Sequence, residues 1–207
     1  MRTHTKETQD KLTPDLALDI LKEGNERFVM NIKAHRNLLQ QVNETSSGQF
    51  PFAAILSCID SRTSAELIFD QGLGDIFSIR IGGNILNEDI LGSMEFACKF
   101  AGSKLIVVLG HTKCSAIEGA CNNIEFGNLT ALLNKIKPAI ESETITLNNR
   151  TGSNVSFMNN VTKNNVLITV KKIKEQSSIL KQMCDSKQIA IIGGLHDIDT
   201  GQVTFFN

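Results

Sequence analysis

Two short segments carry the side chains that could do chemistry: Cys58-Ile59-Asp60-Ser61-Arg62 and Gly110-His111-Thr112-Lys113-Cys114. Two thiolates and one imidazole are the borderline-soft set that zinc takes, and three protein ligands leave the fourth tetrahedral position open. An open position distinguishes catalytic zinc from closed structural sites, and there the metal acidifies a bound water into a nucleophile near neutral pH. Asp60 and Arg62 follow the first cysteine at i+2 and i+4. A paired guanidinium keeps a carboxylate ionised and oriented. So held, Asp60 can accept a hydrogen bond from a water on the metal, or move in as an anionic fourth ligand and shut the site; the sequence is compatible with both. Each piece alone has an ordinary reading. A cysteine at a strand end is usually a small core residue, and an isolated Asp-x-Arg is a surface pair contributing under about 1 kcal/mol. Their conjunction carries the information.

The elements that must position these residues alternate between strand and helix. Thr13-Pro14-Asp15 is a helix start, and Leu16, Ile20, Leu21 and Phe28 recur near helical spacing, predicting an amphipathic helix over 14–32. Residues 33–50 read as a polar connector. Strands are expected at 52–57, 75–81 and 104–109, with helices at 64–69, 88–100 and 115–122 between and after them. Further helices are expected at 128–140 and 153–184 around an Asn-rich stretch, 142–154, and a terminal strand pair at 189–192 and 203–206. This order predicts an α/β fold: a central, mainly parallel β-sheet flanked by helices, with a helical N-terminal arm and a C-terminal strand pair. Residues 1–207 read as one domain, 1–50 the arm and 51–207 the α/β core. In an open parallel sheet ligands bind beyond the carboxyl ends of the strands, where Cys58 and the His111–Cys114 segment fall.

Composition excludes several classes. The chain has 207 residues, 41% hydrophobic and 21% charged, which excludes disorder, collagen and coiled coil. A net charge of −1 offers no basic field for nucleic acid or anionic lipid, and without Trp or Tyr any stacking platform would fall to Phe alone. The N-terminus is polar, with no signal-like apolar region, and no apolar run is long enough to span a membrane. With five cysteines, an odd number, the expected compartment is the reducing cytoplasm. Cys98, Cys121 and Cys184 lack a chemical context and read as packing residues. Templates for a cysteine phosphatase loop, a dinucleotide-binding glycine fingerprint and a nucleoside-triphosphate loop all fail; Ser64 and Phe77 stand where the first two need Arg and Gly.

The chain resembles the β-class carbonic anhydrases, whose zinc motifs are Cys-x-Asp-x-Arg and His-x-x-Cys. The likeness extends to Leu21–Phe28 (Leu-Lys-Glu-Gly-Asn-x-Arg-Phe), to Arg80-x-x-x-Asn84, and to Gly193 through Phe205, with His196 in the place of a Tyr. The resemblance implies reversible hydration of carbon dioxide to bicarbonate and a proton. It implies one zinc ion per subunit on Cys58, His111 and Cys114, with Asp60 and Arg62 as the orienting dyad. A plant-like branch carries a substrate-binding Gln nine residues before the first zinc cysteine, and Gln49 stands there; the branch holding an inhibitory bicarbonate uses Trp and Tyr, which this chain lacks. Phe77 matches an apolar pocket wall suited to a substrate with no dipole. By the same resemblance the chain forms a homodimer or homotetramer, with residues 14–32 and part of the pocket meeting a second copy.

Departures from the family pattern are Ser115 for a Gly directly after the second zinc cysteine, Phe96 for a pocket Tyr, and Ile81-Gly82 within the Arg80 turn. Gly82-Gly83 itself reads as a tight turn more than as a substrate contact. His35 and His196 are candidate proton shuttles only because histidine titrates near neutrality. Two other functions fit the metal set: hydrolysis of a carbon dioxide analogue such as carbon disulfide or carbonyl sulfide, and a non-catalytic, zinc-stabilised interaction domain.

Overall fold

The computed structural model describes residues 3–206. Five strands form one sheet in the order β2-β1-β3-β4-β5: β1 Ala53–Ser57, β2 Ile76–Arg80, β3 Leu105–His111, β4 Ala190–His196 and β5 Val203–Phe206. The first four run parallel, and β5 returns antiparallel to β4, as expected for a terminal pair. β1 and β3 are direct neighbours with Ser57 opposite Leu109, so Cys58 and His111 emerge at the same edge.

Both central strands are buried on both faces, which is why they read as unbroken apolar runs and not as alternation. One face, with Ile55, Val107 and Leu109, packs under helices α2 (Pro14–Val29) and α4 (Ala65–Ile68). The other, with Leu56, Ile106 and Val108, packs under α5 (Glu88–Glu95), α9 (Val155–Gln176) and α10 (Ser178–Asp185). A third cluster closes the carboxyl end of the sheet. Cys58 and Cys114 sit in it among Ile117 of α6 (Ser115–Cys121), Leu133 of α7 (Gly127–Asn134), Ala139 of α8 (Lys137–Glu141), and Phe157 and Val161 of α9.

The arm begins with a short helix, α1 (Lys6–Asp10). The Thr13 side chain then accepts from Leu16 N, and α2 lays Ala17 and Leu21, both fully buried, on its own sheet. Asn25 fastens α2 to the core: its amide donates to Ile68 O and Gly201 O and accepts from Val203 N. Within one chain α2 thus covers Ala17 and Leu21, while Leu16 and Val29 stay exposed. The expected connector 33–50 contains a helix, α3 (Leu38–Thr45), because the Asn37 side chain accepts from Gln40 N at 3.0 Å and Gln41 is buried against Leu73 N. Asp70, between Arg27 and Arg36 at 2.6 Å each, locks this arm to the core.

Three helix boundaries also differ from expectation. Pro138 has no N–H to continue a helix, and 128–140 divides into α7 and α8. Residues 153–184 divide at Ser177, which leaves the helical region, accepts from Leu180 N and donates to Glu95. The helix at 88–100 finishes in a π turn, Phe96–Phe100.

Candidate active site

Cys58 is the first residue beyond β1. His111 is the last of β3, and Thr112-Lys113, with Lys113 at φ 54°, swings the chain so that Cys114 starts α6. The two sulfurs lie 3.9 Å apart, and one ligand atom from each of Cys58, His111 and Cys114 falls within 4.8 Å of the others. Two sulfurs at about 2.3 Å from a tetrahedral zinc would stand roughly 3.8 Å apart, so the pair already has the spacing such an ion needs. His111 Nδ1 lies 2.9 Å from Thr112 O. A carbonyl only accepts, so Nδ1 carries the proton and Nε2 keeps its lone pair. That Nε2 is buried and has no hydrogen-bond partner. An unsatisfied buried acceptor beside two buried thiols is the arrangement a metal ion completes.

At this separation either sulfur can donate a hydrogen bond to the other. The Cys114 thiol foremost, with the backbone N–H groups of Gly83 and Asp60, draws Cys58 far below an ordinary thiol against the cost of its burial. Cys114 is pushed up, by Cys58 first and then by burial. Gly83 contributes its N–H to Cys58 Sγ at 3.3 Å from a backbone at φ 63°. A Cβ there would stand 2.9 Å from Ile136 Cδ1, so the Gly82–Asn84 turn fits glycine at this position by conformation and by space.

Asp60 and Arg62 form the expected pair. Arg62 Nε donates to Asp60 Oδ1 at 2.9 Å and Nη2 to Oδ2 at 2.8 Å, while the Arg62 N–H also reaches Oδ1 at 2.9 Å. These bonds, Arg62 foremost, hold the Asp60 carboxyl at about 2. With both oxygens engaged, the carboxylate is turned toward Arg62. Arg80 supports the segment from behind, donating to Cys58 O at 3.0 Å and Asp60 O at 2.6 Å.

A family model for carbonic anhydrase matches residues 53–203. The carbonic anhydrase 2 of Mycobacterium tuberculosis is 36% identical over 194 residues, spanning 91% of each protein. The chain belongs to the β-class carbonic anhydrase family. A Coccomyxa β-carbonic anhydrase in complex with acetazolamide shares the fold at a TM-score of 0.71 and 20% identity, over 79% of this chain and 75% of that one. One of two tetrameric β-carbonic anhydrases from Sordaria macrospora does so at 0.69 and 19%, over 81% and 90%. The near full-length match to a carbonic anhydrase, with the family model over the core, disfavours the carbon disulfide or carbonyl sulfide reading.

In this β-carbonic anhydrase, Cys58 and Asp60 open onto a cavity of about 380 Å³ walled largely by apolar side chains, among them Ala116, Ile124, Leu129 and Leu132. Ser115, the departure from the family glycine, also lines it. Gln49 and Phe77 do not. Gln49 is exposed just before β1, and Phe77 stands on edge strand β2 against Phe96, ring centroids 6.2 Å apart. His196 is buried beside His111 in the β3–β4 register, and burial pushes it down to about 4, which unfits it as a shuttle near neutrality. The roles of Gly83 and Arg80 in holding Cys58 were not legible in the sequence. Arg80 was visible only as part of a turn pattern, and nothing local shows that a glycine N–H will meet a sulfur 25 residues away.

Proposed function

We propose that this carbonic anhydrase holds one zinc ion on Cys58, His111 and Cys114 and hydrates carbon dioxide reversibly in the cavity beside it. The observation that carries the reading is the buried, unpartnered His111 Nε2 beside two thiols at metal-ligand spacing. Zinc, when bound, supplies Lewis acidity and brings a coordinated water to a pKa of about 7, a figure established on carbonic anhydrase itself.

The chain's own residues do the rest. Asp60, kept ionised and turned by Arg62, accepts a hydrogen bond from the attacking water and orients its lone pair toward the substrate. Because Arg62 occupies both its oxygens, taking the fourth metal position would require breaking that pair, which favours an open site over a closed, purely structural one. The apolar wall at Ala116, Leu129 and Leu132 suits a substrate without a dipole and disfavours bulk water.

Gln49 as donor to the substrate and Phe77 as apolar wall require a second copy. Strand β2 is a sheet edge with Ser78 and Arg80 exposed, and Phe96 and Phe100 beside it are 53% and 81% exposed. A homodimer or homotetramer that pairs across this edge covers those rings and completes the pocket. Five free thiols fit a cytoplasmic protein, and no helix among the described residues is long and apolar enough to cross a membrane. Metal analysis with stopped-flow carbon dioxide hydration from mildly acidic to alkaline pH tests the proposal. It expects stoichiometric zinc and a rate that rises with pH; zinc-loaded protein with no hydration activity at any pH would refute it.

A further inference from the structure

Helix α9 turns an amide toward the metal-site turn. Asn165 is 3% exposed, and its Nδ2 donates to Gly83 O at 2.8 Å across 82 residues of sequence. Gly83 in turn donates its N–H to Cys58 Sγ at 3.3 Å. The two bonds use different peptide units of the turn, so their coupling is positional: fixing the Gly83 carbonyl fixes the φ, ψ pair that aims its N–H at the sulfur. The residue being fixed sits at φ 63° and has no side chain of its own to anchor it. Its tether belongs to a 22-residue helix whose neighbouring Val161 and Val166 are fully buried, a rigid platform.

We infer that Asn165 is a positioning residue for the metal centre, holding Gly83 so that its N–H tempers the charge that the Cys58 thiolate delivers to the ion. The inference rests on Cys58 being a zinc ligand. An N–H donor on a thiolate ligand withdraws electron density from the sulfur, and partners outside the ligand set typically alter metal affinity 10–100-fold. Acting through Gly83, Asn165 belongs at the low end, about tenfold.

The test compares Asn165→Leu with Thr169→Val, a substitution one turn along the same buried face (Thr169 is 3% exposed) that has no bond to the turn. Zinc affinity is read by competition with a chromophoric chelator, and sulfur donation by the thiolate-to-metal charge-transfer band of the cobalt(II)-substituted protein. Asn165→Leu is expected to weaken zinc about tenfold and to shift the band, with Thr169→Val leaving both at parent values. Parent-like affinity and spectrum in Asn165→Leu, or equal changes in both variants, would overturn the inference. Should Asn165→Leu not fold, Asn165→Asp, which replaces the donor by an acceptor in the same volume, is read against the same two outcomes. Cys58→Ser separates the inference from its premise: parent-like zinc affinity there refutes the zinc reading itself, whatever Asn165 does.

Discussion

Replacing Gly83 with alanine adds a single carbon at the most constrained point of the site. At φ 63° an L-residue costs roughly 1–2 kcal/mol over glycine. The new Cβ would lie 2.9 Å from Ile136 Cδ1 and 3.4 Å from the Ala116 Cβ. Ile136 is fully buried, so its methyl has little room to retreat, and overpacking of this kind adds roughly 1–3 kcal/mol. The smaller entropy of the unfolded alanine chain returns about 0.4–1 kcal/mol. The net expectation is a loss of roughly 1–5 kcal/mol, which at this chain length lowers the melting temperature by roughly 2–18 °C. Urea unfolding of the metal-stripped protein reads this loss as a lower midpoint at unchanged slope. The zinc-loaded protein should lose more, because the turn that shifts also carries the donor to Cys58. A Gly83→Ala protein with the parent midpoint in both states would refute the account of this turn.

Asp60→Asn should leave fold and zinc content near parent while lowering carbon dioxide turnover by roughly 10²–10⁴-fold, the range for a lost acid–base partner. Because the Asp60 carboxyl is held at about 2 against an ordinary 3.8, its stabilisation is complete above the ordinary value and is lost as pH falls between the two. The pair is partly exposed, so the stability gap between parent and Asp60→Asn should be about 1 kcal/mol or less and should close only in that acid window. His196 has the opposite consequence. Burial lowers it from 6.5 to about 4, so the unfolded chain takes up a proton first and stability falls as pH drops through that interval. His196→Gln should flatten this limb by roughly 1–3 kcal/mol in pH-dependent unfolding of the metal-stripped protein. Asp70→Asn leaves Arg27 and the buried Arg36 without their carboxylate, and should cost about 3–5 kcal/mol in urea unfolding.

The chemistry was legible because it is local. Cys58, Asp60 and Arg62 lie within five residues, and His111 and Cys114 within four, each at the end of an apolar strand that periodicity reveals. Adjacent β1 and β3 then bring the two segments together. What the sequence hides is made by distance. The α9 helix places Thr162, Asn165 and Thr169 on its buried face, which weakens the apolar stripe and conceals that one of them reaches Gly83. Helix α3 was hidden for the converse reason: Leu38, Leu39 and Val42 are exposed while Gln41 is buried, so its polarity pattern is inverted. Gln49 and Phe77 lie outside the Cys58 cavity of one chain, and an assembly cannot be read from periodicity at all.

The central claim is that Cys58, His111 and Cys114 hold the zinc on which carbon dioxide hydration depends. Stopped-flow hydration by Cys58→Ser beside the parent, with zinc content measured on the same samples before and after a chelator, tests it most directly. The account predicts parent activity that follows zinc occupancy and a variant that has lost both. Chelator-resistant hydration by Cys58→Ser at the parent rate would contradict it.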